Sequence, residues 1–386
     1  MTYSSVIKVY SLSLSTKFVK LCLKTNCLRR FLLIGSLTIA VSYVGYYLFS
    51  DSIIQDIKTS NSLSQNHRLH VYPGNIDNDP YIKSMREKFP LKMISYLSKL
   101  INATNPKYAL TINSSYLIEN PNLCKRALNF SVLVIVNSAT DNFERRQAIR
   151  ATWTNDSYYH HLGKIKVMFL LGKPLNSIIQ EMIKRESEAY ADILQGDFVD
   201  TYFNLTHKGV MSFKWIQENC RNPKHILKVD DDILVNMFLY FEHIQNTPKV
   251  RHANVYCHYG TSPVVRKQSI KWYISDNHFR GVKYYLNFCR GKFVSMTNDI
   301  IPSLYLSASK TPFFKLDDVL LYGYVMHNIP SLKYETLAWN EMQEDNGNAI
   351  KCFETLKDKC QLVIMQASGI HEMSETWSTV LKYFKK

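Results

Sequence analysis

Glycine is scarce in this chain, 13 of 386 residues. There is no G-x-G-x-x-G and no G-x-x-x-x-G-K-[ST], so the usual dinucleotide and P-loop fingerprints are absent. The 8 cysteines contain no C-x-x-C pair, which argues against structural zinc. Charged residues make up only 20% against 46% hydrophobic, a balance that excludes global disorder. Residues 1–30 contain no acid at all. The length fits one large domain with additions, or two domains.

The charge that is present is uneven. Lys8, Lys17, Lys20, Lys24, Arg29 and Arg30 supply +6 of the formal +15. They are followed by Phe31–Phe49, 19 residues without a charge. A run of about 17–25 apolar residues is long enough to cross a bilayer as a helix, and a basic flank stays cytosolic. A buried core helix would show a polar face, and a cleaved signal peptide has a shorter apolar run. The expectation is a type II signal anchor: tail 1–30, membrane span 31–50, stem 51–125 and luminal domain 126–386. A net +15 invites a nucleic-acid reading, but luminal placement opposes it and no nucleic-acid partner is expected.

Two other patterns agree with a secretory route. Glycosylation acceptors N-x-[ST] occur at Asn102, Asn113, Asn129, Asn155 and Asn204, all after the span. Six cysteines also follow it: Cys124, Cys220, Cys257, Cys289, Cys352 and Cys360. An even number in an oxidising compartment suggests disulfides, with 15 pairings open.

From residue 131 the pattern turns regular. SVLVIVNSA (131–139), KIKVMFLLG (164–172) and HILKVDDDILV (225–235) read as strands, and ILQGDF (193–198) is a further short apolar run. Helical spacing lies between them, at 143–153, 175–190 and 207–220. Alternating strands and helices imply a mostly parallel sheet with helices on both faces. Ligands in such folds bind beyond the carboxyl ends of the strands.

Asp230, Asp231 and Asp232 stand at such an end. Three carboxylates after an apolar strand are costly without a cation. If the segment is extended, Asp230 and Asp232 share a face and Asp231 points away. Hard oxygen ligands suit Mg²⁺ or Mn²⁺, and such an ion can bridge a diphosphate, with Arg145, Arg146 and Arg150 as basic partners. The same spacing also fits a solvated acidic loop or a helix cap.

NFERRQAIRATW (142–153), FLLG (169–172), DFVDTYFNLTHK (197–208), KVDDDILVN (228–236), PVVRKQSIKWYIS (263–275), FCRGKFVSM (288–296) and FKLDDVLLYG (314–323) together resemble, in order, the motif series of the β1,3-glycosyltransferases of glycosyltransferase family 31. The resemblance implies an α/β, GT-A type, Rossmann-like mixed sheet, with a single transmembrane helix before it. It implies a UDP-sugar donor, Mn²⁺ or Mg²⁺ as cofactor, and inversion at the anomeric carbon. Carried over by motif, Asp232 and Asp230 hold the metal, and Asp230 or Asp231 contacts the ribose or donor sugar. Arg146, Arg150 and Trp153 build the UDP pocket. Trp272 lines the sugar or acceptor pocket, and Asp318 is the general base. His371, in GIHEM, completes the metal shell.

This sequence departs from the family pattern at three places. Asp317 stands where glutamate is usual. The glycine after Asp-Val-x-x falls at Tyr322, with Gly323 one place later. Arg290 and Phe293 replace small residues, which bears on sugar identity. The expected activity is a Golgi β1,3-hexosyltransferase acting on a glycan of glycoprotein or glycolipid. Galactose is the expected donor and N-acetylglucosamine the alternative. An inactive glycan-binding membrane protein on the same scaffold is the reading from a different class.

Overall fold

The computed structural model describes residues 91–102, 116–125, 131–246 and 252–385. The expected tail and span (1–50), most of the stem, and the acceptors Asn113 and Asn129 lie outside these residues. Among the described residues no helix is long and apolar enough to cross a membrane.

The chain builds α1 (Leu91–Ile101), β1 (Tyr116–Ile118), β2 (Val132–Asn137), α2 (Phe143–Ala151), β3 (Ile165–Lys173), α3 (Ser177–Tyr190), β4 (Ile193–Val199) and α4 (Leu205–Asn219). Next come β5 (His225–Asp230), β6 (Ile233–Val235), α5 (Met237–Asn246), β7 (Asn254–Gly260), β8 (Phe288–Thr297) and α6 (Ile301–Lys310). The last elements are β9 (Lys333–Thr336), β10 (Met342–Gln343), α7 (Asn346–Leu356), β11 (Ile364–Gln366) and α8 (Ile370–Phe384). Eight strands form one sheet in the order β1-β4-β3-β2-β5-β8-β7-β9. Strands β4, β3, β2 and β5 run parallel. β1 and β8 join antiparallel, which makes the sheet mixed. A second sheet, β10-β11-β6, sits beside it in sequence order around the aspartates.

The strands read as unbroken apolar runs because both faces are covered. Along β2 the side chains alternate. Leu133 and Ile135 join Val210, Phe213 and Leu321 in one core, while Val132, Val134 and Val136 join Ile149, Phe241 and Trp377 in another. Helices therefore cover both faces, as the sequence pattern predicts. Helix α3 starts where the Asn176 side chain accepts from the Ile178 N–H, satisfying one orphan donor.

Three disulfides pair all six cysteines that follow the expected span: Cys124–Cys220, Cys257–Cys289 and Cys352–Cys360. The first ties the segment before β2 to the end of α4 across 96 residues. Of the sequons, Asn102 is exposed at the end of α1 in a left-handed conformation. The Asn155 side chain accepts from the Ser157 N–H. Asn204 is half-buried, donates to the Val199 carbonyl at 2.8 Å, and its Thr206 is fully buried. A glycan at Asn204 would therefore have to be attached before folding.

Replacing Cys124 and Cys220 together by alanine should lower stability by about 2–5 kcal/mol, because the long loop is freed in the unfolded chain. Denaturant unfolding of the double variant measures this, and the parent stability should be reproduced when the parent protein is kept oxidised.

Candidate active site

The carboxyl ends of β2 and β5 lie side by side, with Asn137 in register with Asp230. The aspartates begin there, but Asp231 and Asp232 occupy a turn between β5 and β6. The extended alternation expected for this segment is therefore not what forms, and the three carboxylates diverge. Asp230 accepts from the Lys228 ammonium at 2.7 Å. Asp231 turns back to the β2–α2 loop and accepts from Ser138 Oγ and Asn142 Nδ2, both at 2.8 Å, with Arg145 3.8 Å away. Asp232 accepts from Gln366 Nε2 at 3.2 Å. Gln366 is beside it because β11 pairs antiparallel with β6, in register with Ile233.

Burial raises the Asp232 carboxyl, and the negative charges of Asp230 and Asp231 raise it further; Arg145 and Lys292 oppose this. A carboxylate crowded by its own kind and met by a neutral amide fits a cation. Among the described residues no group of three His, Cys, Asp or Glu side chains is placed to hold one. Asp230 and Asp232 therefore suit an ion such as Mg²⁺ that is bound by one or two carboxylates and takes its other oxygens from substrate phosphate and water.

Of the predicted basic partners, only Arg145 stands beside the aspartates. Arg146 is fully buried and donates to Glu186 at 2.7–3.1 Å, to the Ala139 carbonyl at 2.6 Å and to Ser138 Oγ at 3.2 Å. Arg150 is held between Asp192 and Glu186 at 2.8 Å. Burial alone would lower the Arg150 pKa, but these two carboxylates raise it. Neither guanidinium is left to meet a diphosphate, which corrects the sequence expectation. Arg146 braces the β2–α2 loop instead, with help from Lys208, a buried cation that donates to the Ser138 carbonyl at 2.6 Å and to Asp200 at 2.9 Å, while Arg150 ties α2 to Glu186 of α3 and to Asp192. Trp153 is also corrected: it is fully buried in the core behind β2 and presents no face to a nucleotide. The cations that do stand near Asp231 and Asp232 are Arg145, which donates to the Ser368 carbonyl, and Lys292, which donates to Gln366 at 3.0 Å. His371 lies in the first turn of α8 with its side chain 92% exposed, 3.9 Å from Glu375. Helix periodicity turns it to solvent, and no described contact joins it to the aspartates.

The second acidic pair starts a helical turn at Asp317–Val319. Asp317 is buried, and burial pushes its carboxyl up to about 7, with Lys228 opposing and Asp318 and Asp230 adding. Asp318 is half-buried; burial raises it, against hydrogen bonds from the Val319 and Gly291 N–H groups and the charge of Lys228. Lys228 is almost fully buried and donates to both Asp230 and the Gly291 carbonyl. Burial would lower its pKa, but Asp230, Tyr322 and Asp317 outweigh that and raise it. The Gly291 peptide thus meets Asp318 on one side and Lys228 on the other. A Cβ at Gly291 would lie 3.3 Å from Asp318 Cβ and 3.4 Å from Lys228 Nζ, tight enough to press on both.

The helical turn continues as a π-helix over Leu320–Val325. A π turn holds one residue more than an α turn, which fits the glycine arriving at 323 rather than 322. Gly323 sits against β8, where a Cβ would meet Phe288 Cβ at 2.9 Å. Tyr322 is buried with its ring 6.0 Å from Lys228 Nζ. Phe293, expected near the sugars, is buried in the core edge-to-face with Tyr240 and Tyr256. Trp272 is half-exposed and donates to Tyr202 Oη at 2.8 Å. Burial raises the Tyr202 hydroxyl, and the charges of Asp317, Asp318 and Asp230 raise it further, so this aromatic pair lies within the field of both acidic centres.

Sequence reasoning missed Lys228, Gly291, Gln366, Glu186 and Tyr202. Lys228 carried a signal, a charge inside an apolar strand, which only a buried partner can sustain. Gln366 carried none.

Two outcomes follow. Glu186→Ala strands two buried guanidinium groups and should cost about 3–5 kcal/mol in denaturant unfolding. Asp317 holds its proton in the folded state across the window from about 4 to about 7, so ionisation opposes folding there. The parent protein should therefore lose stability relative to Asp317→Asn as pH rises through that window, measured by melting temperature; parallel curves would contradict this.

The family model described as galactosyltransferase matches residues 144–334. Beta-1,3-galactosyltransferase 1 of Mus musculus is 31% identical over 205 residues, 53% of this chain and 62% of that protein, so the match spans less than two thirds of its length. Lactosylceramide 1,3-N-acetyl-beta-D-glucosaminyltransferase B of Danio rerio is 33% identical over 268 residues, 66% of this chain and 68% of that protein. Among solved structures, the galactosyltransferase LgtC with donor and acceptor sugar analogs aligns over 64% of this chain and 95% of that one, at 10% identity and a TM-score of 0.32, a likeness that carries no argument. The sequence matches, spanning the segments that carry Asp230, Asp232 and Asp318, show that this chain belongs to the galactosyltransferase family, the family 31 group of glycosyltransferases.

Proposed function

We propose that this protein is an inverting, metal-dependent β1,3-hexosyltransferase that moves galactose from UDP-galactose to a hydroxyl of a glycan on glycoprotein or glycolipid. The observation that carries this reading is the linkage of two acidic centres. Asp230, at the strand end, and Asp318, half-exposed beside it, are held on opposite sides of Lys228 and Gly291. One centre suits a diphosphate and the other a hydroxyl.

Asp318 is the less buried acid of its pair and the one able to meet an acceptor. Its carboxylate would take the proton of the acceptor hydroxyl. The oxygen then forms its bond to the anomeric carbon as the bond to the UDP oxygen breaks, and UDP leaves with that electron pair. Attack from the face opposite the leaving group inverts the configuration. Asp232 and Asp230 would hold the divalent ion, which when bound neutralises the diphosphate. Arg145 and Lys292 add positive charge at the same edge, and Trp272 with Tyr202 offers a flat apolar surface to a sugar ring. N-acetylglucosamine is the alternative donor, supported by the similarity to the zebrafish protein.

A Golgi membrane location with the catalytic domain luminal is part of this proposal. It is supported by the uncharged run Phe31–Phe49 behind a basic flank and by the three disulfides.

The test incubates the detergent-solubilised full chain with labelled UDP-sugars, Mn²⁺ and a panel of β-linked acceptors. Transfer should be greatest from UDP-galactose and should vanish with chelator. Asp318→Asn should lower kcat by about 10²–10⁴ without weakening UDP binding. Asp232→Ala should abolish the Mn²⁺-dependent part of UDP binding. Absence of transfer from every UDP-sugar would overturn the reading.

A further inference from the structure

The pairing of β7 with β8 is interrupted. Cys257 pairs with Val294 and Tyr259 with Cys289, so Arg290–Phe293 bulges opposite His258. Bulges re-aim side chains and gather near active sites. The Cys257–Cys289 disulfide clamps the two strands at this point. From the bulge, Gly291 reaches Lys228 and Asp318, and Lys292 reaches Glu344 and Gln366.

Arg290 faces the same segment as Lys292. Its guanidinium lies 5.9 Å from the ring centre of Trp339, and its charge adds to that of Lys292 in lowering the Glu344 carboxyl. Trp339 is 70% exposed, and its indole stands edge-to-face with His258 at 4.2 Å. The exposed indole beside this guanidinium offers a flat apolar surface next to a positive charge. The His258 pKa is lowered by burial and by Arg290, so the imidazole is neutral at physiological pH and the positive charge of the patch belongs to Arg290.

The chemistry of this patch is that of a pyranose with an anionic substituent. The indole face suits the apolar C–H face of the ring, the imidazole can bond a hydroxyl, and a planar guanidinium suits a carboxylate or sulfate in a paired geometry. Arg290 is the chain neighbour of Gly291, whose N–H bonds the Asp318 carboxylate, so the backbone ties the patch to the proposed catalytic carboxylate. Tyr202, which accepts from Trp272, feels the charge of the same carboxylate.

We propose that Trp339, His258 and Arg290 form an acceptor subsite for an acidic sugar, one bearing a carboxylate or sulfate, of the glycan whose reacting hydroxyl meets Asp318. This rests on the glycosyltransferase reading. The acceptor runs from Trp272 across Asp318 to Trp339, and the subsite selects among glycans rather than contributing to bond breaking.

Calorimetry on the full chain, with no UDP-sugar present, tests it with three probes: N-acetyllactosamine, its 6-O-sulfated form and its sialylated form. At least one anionic probe should bind about tenfold tighter than the neutral one at low salt. Arg290→Gln should erase that preference while leaving neutral binding in place. Trp339→Ala should weaken all three probes about tenfold. A gain confined to one anionic probe identifies the group as sulfate or as carboxylate. Hydrolysis of UDP-galactose without acceptor should be the same in both variants and the parent. Equal affinity for the three probes, or affinities unchanged in both variants, would overturn the subsite. If the parent transfers from no UDP-sugar yet keeps the anionic preference, the transferase reading fails and the sugar-binding patch stands.

Discussion

A single buried ammonium organises this molecule. Lys228 lies inside a sheet strand, where an uncompensated charge would cost several kcal/mol, and it is satisfied by Asp230 on its own strand and by the Gly291 carbonyl on the next. Asp317 and Asp318 add negative charge around it. Two acidic centres that would repel each other are thereby held around one cation. Removing Lys228 would leave like charges facing each other in a weakly screened interior.

That arrangement depends on how closely β8 approaches. A Cβ at Gly291 would lie 3.3 Å from Asp318 Cβ, a tight fit, and the bulge that carries this glycine is clamped by the cross-strand disulfide at Cys257 and Cys289. The second sheet does the same on the other flank. By pairing β11 with β6 it brings Gln366 to Asp232 and the Ser368 carbonyl to Arg145. The site is assembled from separate stretches of chain, and strand pairing sets the positions of Asp230, Gly291 and Gln366.

Much of the framework was legible in the sequence. The apolar runs at 131–139 and 164–172 gave β2 and β3 within two residues, because strands buried on both faces need no polar alternation. The run at 225–235 instead divides at the aspartates into β5 and β6 of two sheets. The position of the aspartates at a strand end followed from the same pattern. Their directions did not follow, because Asp231 and Asp232 enter a turn, and a turn breaks the two-residue alternation. The roles of Arg146 and Arg150 were misread for a related reason. Their partners Glu186 and Asp192 lie 36–42 residues away in the chain, and local spacing cannot announce them. A guanidinium motif looks the same whether it faces a phosphate or a buried carboxylate.

The sequence by itself determined the class of the fold, the acidic strand end, the second acidic pair and the ordered motifs that mark the family. These are local properties of pattern and composition. Only the tertiary structure decided which cations the buried carboxylates occupy, how six cysteines pair, and that the second acidic pair leads into a π-helix. It alone brought Trp339, His258 and Arg290 together from three segments. Each of these depends on contacts between residues distant in sequence, whose energies arise only once burial removes water from between them.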